Sequence, residues 1–111
     1  MKRGEIYYAT LDPAVGSEAN KRRPVLIVSN DINNRAGDVV TVLPISSNVS
    51  RVYPFEVLLL QAESGLPKDS KVQAQPMRSL AKQRLRGKAI GQLTDEKMLA
   101  IDAAIRLHLN L

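Results

Sequence analysis

Three residue types within one stretch of this chain suit chemistry on a phosphodiester. From Gly16 to Ser46 the sequence reads GSEANKRRPVLIVSNDINNRAGDVVTVLPIS. A turn carrying Glu18 leads into the basic triplet Lys21-Arg22-Arg23, then Pro24 and the apolar run Val25 to Val28. A second apolar run, Val39 to Ile45, ends in the hydroxyl pair Ser46-Ser47. If the two runs pair in one sheet, Arg23 opens one strand near the point where Ser46 closes the other. A guanidinium donates two parallel hydrogen bonds to a phosphate, a serine hydroxyl donates a third, and a loop carboxylate accepts a proton. RNA carries its own nucleophile, the 2′-hydroxyl. An enzyme needs only to align that oxygen, remove its proton, stabilise charge on the phosphorane and protonate the departing 5′-oxygen. The products of that route are 2′,3′-cyclic phosphate and 5′-hydroxyl ends, no metal is required, and DNA does not react.

Other chemistries lack their residues. With one histidine, His108, a two-histidine acid/base pair within one chain is excluded, and its place on a helix flank suits packing or surface exposure. No cysteine is present, which rules out disulfides, zinc-thiolate sites and thiol catalysis. The acids are scattered singly, against the converging carboxylates that two-metal phosphoryl chemistry needs. Neither a GxxxxGK loop nor a GxSxG elbow occurs. Each candidate also has a structural reading: Arg23 as a strand-edge charge, Ser46 as a turn after Pro44-Ile45, Glu18 as a partner of Lys21, Arg78 as an anchor after Pro76. On the residues alone, catalysis and plain nucleic-acid binding both stay open.

Short strands must position these groups. Glu5 to Leu11, Arg23 to Ser29, Asp38 to Ile45, Pro54 to Leu60, Ser70 to Gln75 and Gly87 to Leu93 read as strands between turn-rich segments. Pro24 fits a first strand position, Pro44 interrupts the end of its run, and the two glycines of Gly87 to Leu93 suggest a bulge or tight bend. Asn30 to Gly37 is dense in turn and cap residues and accommodates one helical turn, and Ser79 to Arg84 suggests another. Thr94 caps a C-terminal helix with Asp95 and Glu96 in its first turn. Met98, Ile101, Ile105 and Leu109 recur at spacings of three and four, the stripe that packs such a helix on a sheet.

At 111 residues the chain is expected to be one domain, 1–111, with one core. That core contains one Phe and no Trp, so a homodimer burying further apolar surface is expected. Neither a signal peptide nor an apolar run of the roughly 20 residues that span a bilayer is visible, so a cytoplasmic protein is expected. Sixteen Lys and Arg against eleven Asp and Glu give a net charge of +5. Between Asp69 and Asp95 there is no acid, while Lys71, Arg78, Lys82, Arg84, Arg86 and Lys88 are all basic. Such a one-sign segment suits a polyphosphate, with a solvated loop or an acidic protein partner as alternatives.

Read in order, these blocks resemble the MazF/PemK family of toxin endoribonucleases from bacterial toxin-antitoxin systems. The resemblance spans nearly the whole chain: Arg3-Gly4-Glu5-Ile6-Tyr7, Leu11-Asp12-Pro13, Gly16-Ser17-Glu18, and above all Arg23-Pro24-Val25-Leu26-Ile27-Val28-Ser29-Asn30-Asp31. Leu43-Pro44-Ile45-Ser46-Ser47, Tyr53-Pro54-Phe55-Glu56-Val57, Gln75-Pro76-Met77-Arg78 and Lys82-Gln83-Arg84-Leu85 continue it. It implies a mainly β fold with α, an SH3-like antiparallel β-barrel of five to seven short strands with a C-terminal helix. It implies a homodimer that cleaves single-stranded RNA, chiefly mRNA, at specific sequences without metal or cofactor, arresting translation and growth. It implies an acidic, MazE-like antitoxin as partner, and operator DNA bound indirectly through that antitoxin. Arg23 falls on the family's arginine before proline, Ser46 where many relatives carry a threonine, and Glu18 on a glutamate implicated in activity in some members. The loop from Ala14 to Arg22, with Lys21 and Arg22, matches a mobile loop over the RNA, and Gln75 and Arg78 match a groove-lining region. Ser47, Arg84 and Arg86 join these as candidate RNA contacts. Serine in place of threonine keeps the hydroxyl but loses the methyl that restricts its rotamer. The alternative is a non-catalytic module on the same barrel: a nucleic-acid binder, a repressor partner, or a topoisomerase poison like the related CcdB toxins.

Overall fold

The computed structural model describes residues 1–11 and 22–111. Among these residues seven strands run in chain order as β1 (Glu5–Ala9), β2 (Arg23–Ile27), β3 (Val39–Ser46), β4 (Glu56–Leu59), β5 (Ser70–Gln73), β6 (Arg78–Ala81) and β7 (Leu85–Gln92). Helix α1 (Asp31–Ala36) joins β2 to β3, α2 (Gln61–Ser64) joins β4 to β5, and α3 (Asp95–Leu109) ends the chain. Every ladder is antiparallel, in the order β4-β5-β3-β2-β1-β7, with β6 pairing the first half of β3.

The apolar runs are continuous because both faces of the central strands are covered. Leu26 and Leu43 face one way, joining Ile6, Ile45 and Leu59 beneath Met98 and Ile101 of α3. Val25, Ile27, Val40 and Val42 face the other way, where β6 and β7 bring Leu80 and Leu85 over them. The sheet thus curls on itself, but no ladder joins β4 to β7. The end of α2 fills that gap: Gly65, at φ +77°, turns the chain so tightly that a side-chain carbon there would lie 2.7 Å from the Ile90 carbonyl, and Gly91 faces the Ser64 carbonyl. The barrel-like curvature expected of the chain is present, with the helix-to-strand contact replacing a final ladder.

Local differences from expectation have physical causes. Pro44 does not end β3; it sits between Val42, which pairs with Arg78, and Ile45, which pairs with Val72. Its missing N–H therefore falls where β3 changes outer partners. The segment from Ser79 to Arg84 is strand up to Ala81, followed by a 3-10 turn over Lys82–Arg84, since pairing with β3 overrides its local helical tendency. The expected bulge in β7 is real: the β1–β7 register shifts between Ile6 and Tyr8, opposite Gly87, which has φ +69°.

Helix α3 begins as expected, the Thr94 hydroxyl oxygen accepting the Lys97 N–H at 3.1 Å. Its stripe then departs: Met98, Ile101 and Ala104 are buried, whereas Leu109 overhangs the sheet and is exposed. Arg3 anchors the helix by pairing with Asp102, while its Nε donates to the Val28 carbonyl at 2.9 Å. At α1, the Asn30 side chain accepts the Asn33 N–H at 2.8 Å, so the cap residues around Asp31 form a true helical turn. No helix among the described residues is long and apolar enough to cross a membrane.

Candidate active site

The β2–β3 ladder pairs Val25 with Pro44, Leu26 with Leu43 and Ile27 with Val42. Carried two residues further, that register sets Arg23 across from Ser46, the arrangement anticipated from the two apolar runs. Both residues line one cleft of about 490 Å3, with Ser47 beside them. Arg23 is exposed, and no ion pair or side-chain hydrogen bond to another described residue engages its guanidinium. Pro24 helps hold the arginine at the strand edge, because its fixed φ suits the extended backbone there.

Ser46 is oriented by the chain that follows it. Its Oγ accepts the Asn48 N–H at 3.1 Å, so the hydroxyl proton is left to donate elsewhere. Asn48 Oδ1 in turn accepts the Ser50 N–H at 3.2 Å and the Ser50 hydroxyl at 2.8 Å. An exposed guanidinium and an oriented hydroxyl at one cleft mouth form a donor set for an anionic oxygen.

The outer wall of the cleft was not anticipated. Ser46 pairs across the ladder with Lys71 of β5. Lys71 belongs to the segment read as an exposed basic surface, yet it is buried, and its Nζ donates to Glu56 Oε1 at 3.0 Å and to the Arg51 carbonyl at 2.7 Å. Gln73, which lines the cleft, donates to Glu56 Oε2 at 3.2 Å, and the Tyr53 N–H donates to Oε1 at 2.9 Å. Burial pushes the Glu56 carboxyl upward, but the Tyr53 N–H, Lys71 and Gln73 outweigh it and hold the group below the usual carboxylate range. The signal for this cluster in the sequence was an acid set inside the apolar run Pro54 to Leu60.

Lys68, in the turn before β5, adds a cation to the cleft, as Tyr8 of β1 adds a ring. Gln75, Arg78, Arg84 and Arg86 do not line it. Arg84 instead donates from Nη1 to the Thr10 carbonyl at 3.3 Å, and Arg86 pairs on the ladder with Tyr8. Arg22 is exposed just before β2, while Glu18 and Lys21 lie outside the described residues. His108 is at the surface of α3, its ring 6.1 Å from that of Phe55. Among the described residues no group of three His, Cys, Asp or Glu side chains converges to hold a metal ion.

A family model described as the PemK-like, MazF-like toxin of type II toxin-antitoxin systems matches residues 2–109. The chain belongs to this family. It is 46% identical to endoribonuclease MazF9 of Mycobacterium tuberculosis, across all of this chain and 98% of that protein. It is 38% identical to endoribonuclease EndoA of Bacillus subtilis, across all of this chain and 96% of that protein. Among solved structures, a mycobacterial endoribonuclease in complex with its cognate antitoxin superposes with a TM-score of 0.81 at 27% identity, covering all of this chain and 96% of its own. The Mycobacterium tuberculosis toxin MazF-mt6 superposes at 0.80 with 29% identity, covering 96% of this chain and 97% of its own. The toxin-family sequence and the cleft at Arg23 and Ser46 therefore coincide in one molecule.

Proposed function

We propose that this chain, a toxin endoribonuclease by family, cleaves single-stranded RNA at the cleft between Arg23 and Ser46. The observation that carries the reading is the exposed Arg23 guanidinium, which no other described residue engages, sharing that cleft with a serine whose hydroxyl proton is left to donate. Arg23 binds the non-bridging oxygens of the phosphate and stabilises the extra charge of the phosphorane. Ser46 donates to one of the same oxygens. A guanidinium stays protonated in proteins, so the 2′-proton is assigned to Glu18, five positions before Arg23 in the sequence. The 2′-oxygen attacks phosphorus, the 5′-oxygen leaves and is protonated, and the fragments carry 2′,3′-cyclic phosphate and 5′-hydroxyl ends. Neither metal nor cofactor enters this route.

The toxin acts on mRNA in the cytoplasm, in a sequence-specific manner set by loop contacts to unstacked bases. Lys21, Arg22, Ser47 and Lys68 extend the contact along the strand, while Gln75, Arg78, Arg84 and Arg86 serve the more distant backbone. It works as a homodimer, a reading supported by Ile32 and Leu107 standing 73% and 57% exposed. An acidic antitoxin neutralises it, and the pair binds operator DNA. Support for that partner comes from the net charge of +5 and from the antitoxin complex of the mycobacterial relative.

A substrate with a single 2′-deoxyribose at a mapped cut site tests the reaction. That site alone is expected to resist cleavage while neighbouring sites are cut. Continued cutting at the deoxy position excludes 2′-oxygen attack.

A further inference from the structure

The segment between Ser46 and β4 carries an aromatic stack that the reaction above does not use. The rings of Tyr53 and Phe55 lie nearly parallel, 4° apart, with centroids 5.4 Å from each other. Phe55 packs against the core beneath α3 and is backed by His108. Tyr53 remains 42% exposed. Arg51 Nη1 donates to the Tyr53 hydroxyl oxygen at 3.0 Å, with the guanidinium carbon 5.7 Å from the ring centroid, so the cation sits at the hydroxyl end of the ring. Lys71 Nζ lies 6.0 Å from the same centroid. The ring is therefore braced behind and at one edge, with two cations beside it.

Its position ties it to the cleft. Lys71 is the ladder partner of Ser46, and Gln73 of the cleft wall reaches Tyr53 through Glu56. A rigid, exposed ring next to positive charge is the combination that binds single strands, because every base has a face to stack and each is followed by a phosphate.

We propose that Tyr53, locked by Phe55 and Arg51, is a stacking platform for an unpaired RNA base flanking the phosphate held at Arg23 and Ser46. This rests on the RNA-cleaving reading above and adds a base-binding subsite to it. The stack tolerates any base, so it contributes affinity and register; discrimination between bases falls to other contacts.

The chain has no tryptophan, so Tyr53→Trp introduces a single tryptophan at the platform, which selective excitation separates from Tyr7 and Tyr8. Titration with poly(U) and poly(A) is expected to quench it saturably, whereas an abasic strand of equal charge is expected to leave it bright. In cleavage assays Tyr53→Ala is expected to raise KM about 5- to 150-fold, the span of one base–aromatic stack. Tyr53→Phe keeps the ring but loses the Arg51 bond to the hydroxyl, so its KM is expected to rise less than that of Tyr53→Ala. Three results overturn the platform: an unquenched tryptophan in protein that binds RNA by anisotropy, equal quenching by the abasic strand, or an unchanged KM for Tyr53→Ala. Quenching by an acidic peptide but not by RNA overturns it in favour of a protein contact. Quenching by RNA with no cleavage by the wild-type protein sinks the reaction and leaves the stacking intact.

Discussion

Replacing Lys71 by Met tests whether the buried ion pair behind the cleft organises it. The side chains of Lys71 and Glu56 are 10% and 5% exposed, so solvent screens their attraction little. Methionine keeps most of the apolar stem but removes the charge and two hydrogen bonds, one to Glu56 and one to the Arg51 carbonyl. Stranding one partner of a buried pair costs about 3–5 kcal/mol. Glu56 retains the Tyr53 N–H and the Gln73 amide, so we expect about 2–4 kcal/mol at pH 7, or roughly 10 °C in Tm for a chain of this size. The pH dependence distinguishes this cause from simple packing loss. In the wild type the Glu56 carboxyl is held low, so its stabilisation is present above the unfolded carboxylate range and is lost as pH falls through the lower folded value. In Lys71→Met burial opposes the charge with less compensation, and the carboxyl protonates more readily. The gap between the two proteins should therefore narrow as pH is lowered from 7 to 3. Urea melts across that range measure it. A variant within 0.5 kcal/mol of wild type at pH 7, or a gap constant with pH, refutes the reasoning.

Other outcomes follow from single contacts. Gly91→Ala drives a methyl group onto the Ser64 carbonyl, and should cost about 1–3 kcal/mol in chemical denaturation by prising α2 from β7. Thr94→Ala removes the cap of α3 and should cost about 1 kcal/mol in the same assay. Lys82→Ala combined with Lys88→Ala should weaken RNA binding and flatten its dependence on salt in anisotropy titrations, with turnover retained at saturating RNA. Salt-independent loss of activity in that double variant would point to a structural role instead.

The main frame was legible because it depends on local pattern. The runs at Val25 and Val39 are too apolar to be anything but covered strands, and the Thr94 cap with its first-turn acids marks α3 within a residue. The convergence of Arg23 and Ser46 follows from antiparallel pairing of neighbouring runs, which needs no long-range information. What escaped depends on distant partners. Arg78–Ala81 is a strand only because β3 offers an edge, and Lys71 is buried only because Glu56, fifteen positions earlier, meets it across a ladder. The short α2 carries no apolar period of its own; its place against β7 is set by two glycines far apart in the chain. Lys68 falls between two segments read as strands, and only the folded turn brings it to the cleft.

The central claim is that Arg23 acts on RNA through phosphate charge. Purified wild-type and Arg23→Ala proteins would be incubated with a long single-stranded RNA in EDTA, with cuts mapped by primer extension and ends typed by kinase labelling. Discrete cuts with 5′-hydroxyl ends are expected in the wild type. In the variant a loss of about 10²-fold or more is expected with an unchanged circular dichroism spectrum, the scale for removing a transition-state donor. A folded Arg23→Ala protein that cuts at the wild-type rate, or fragments bearing 5′-phosphates, would contradict it.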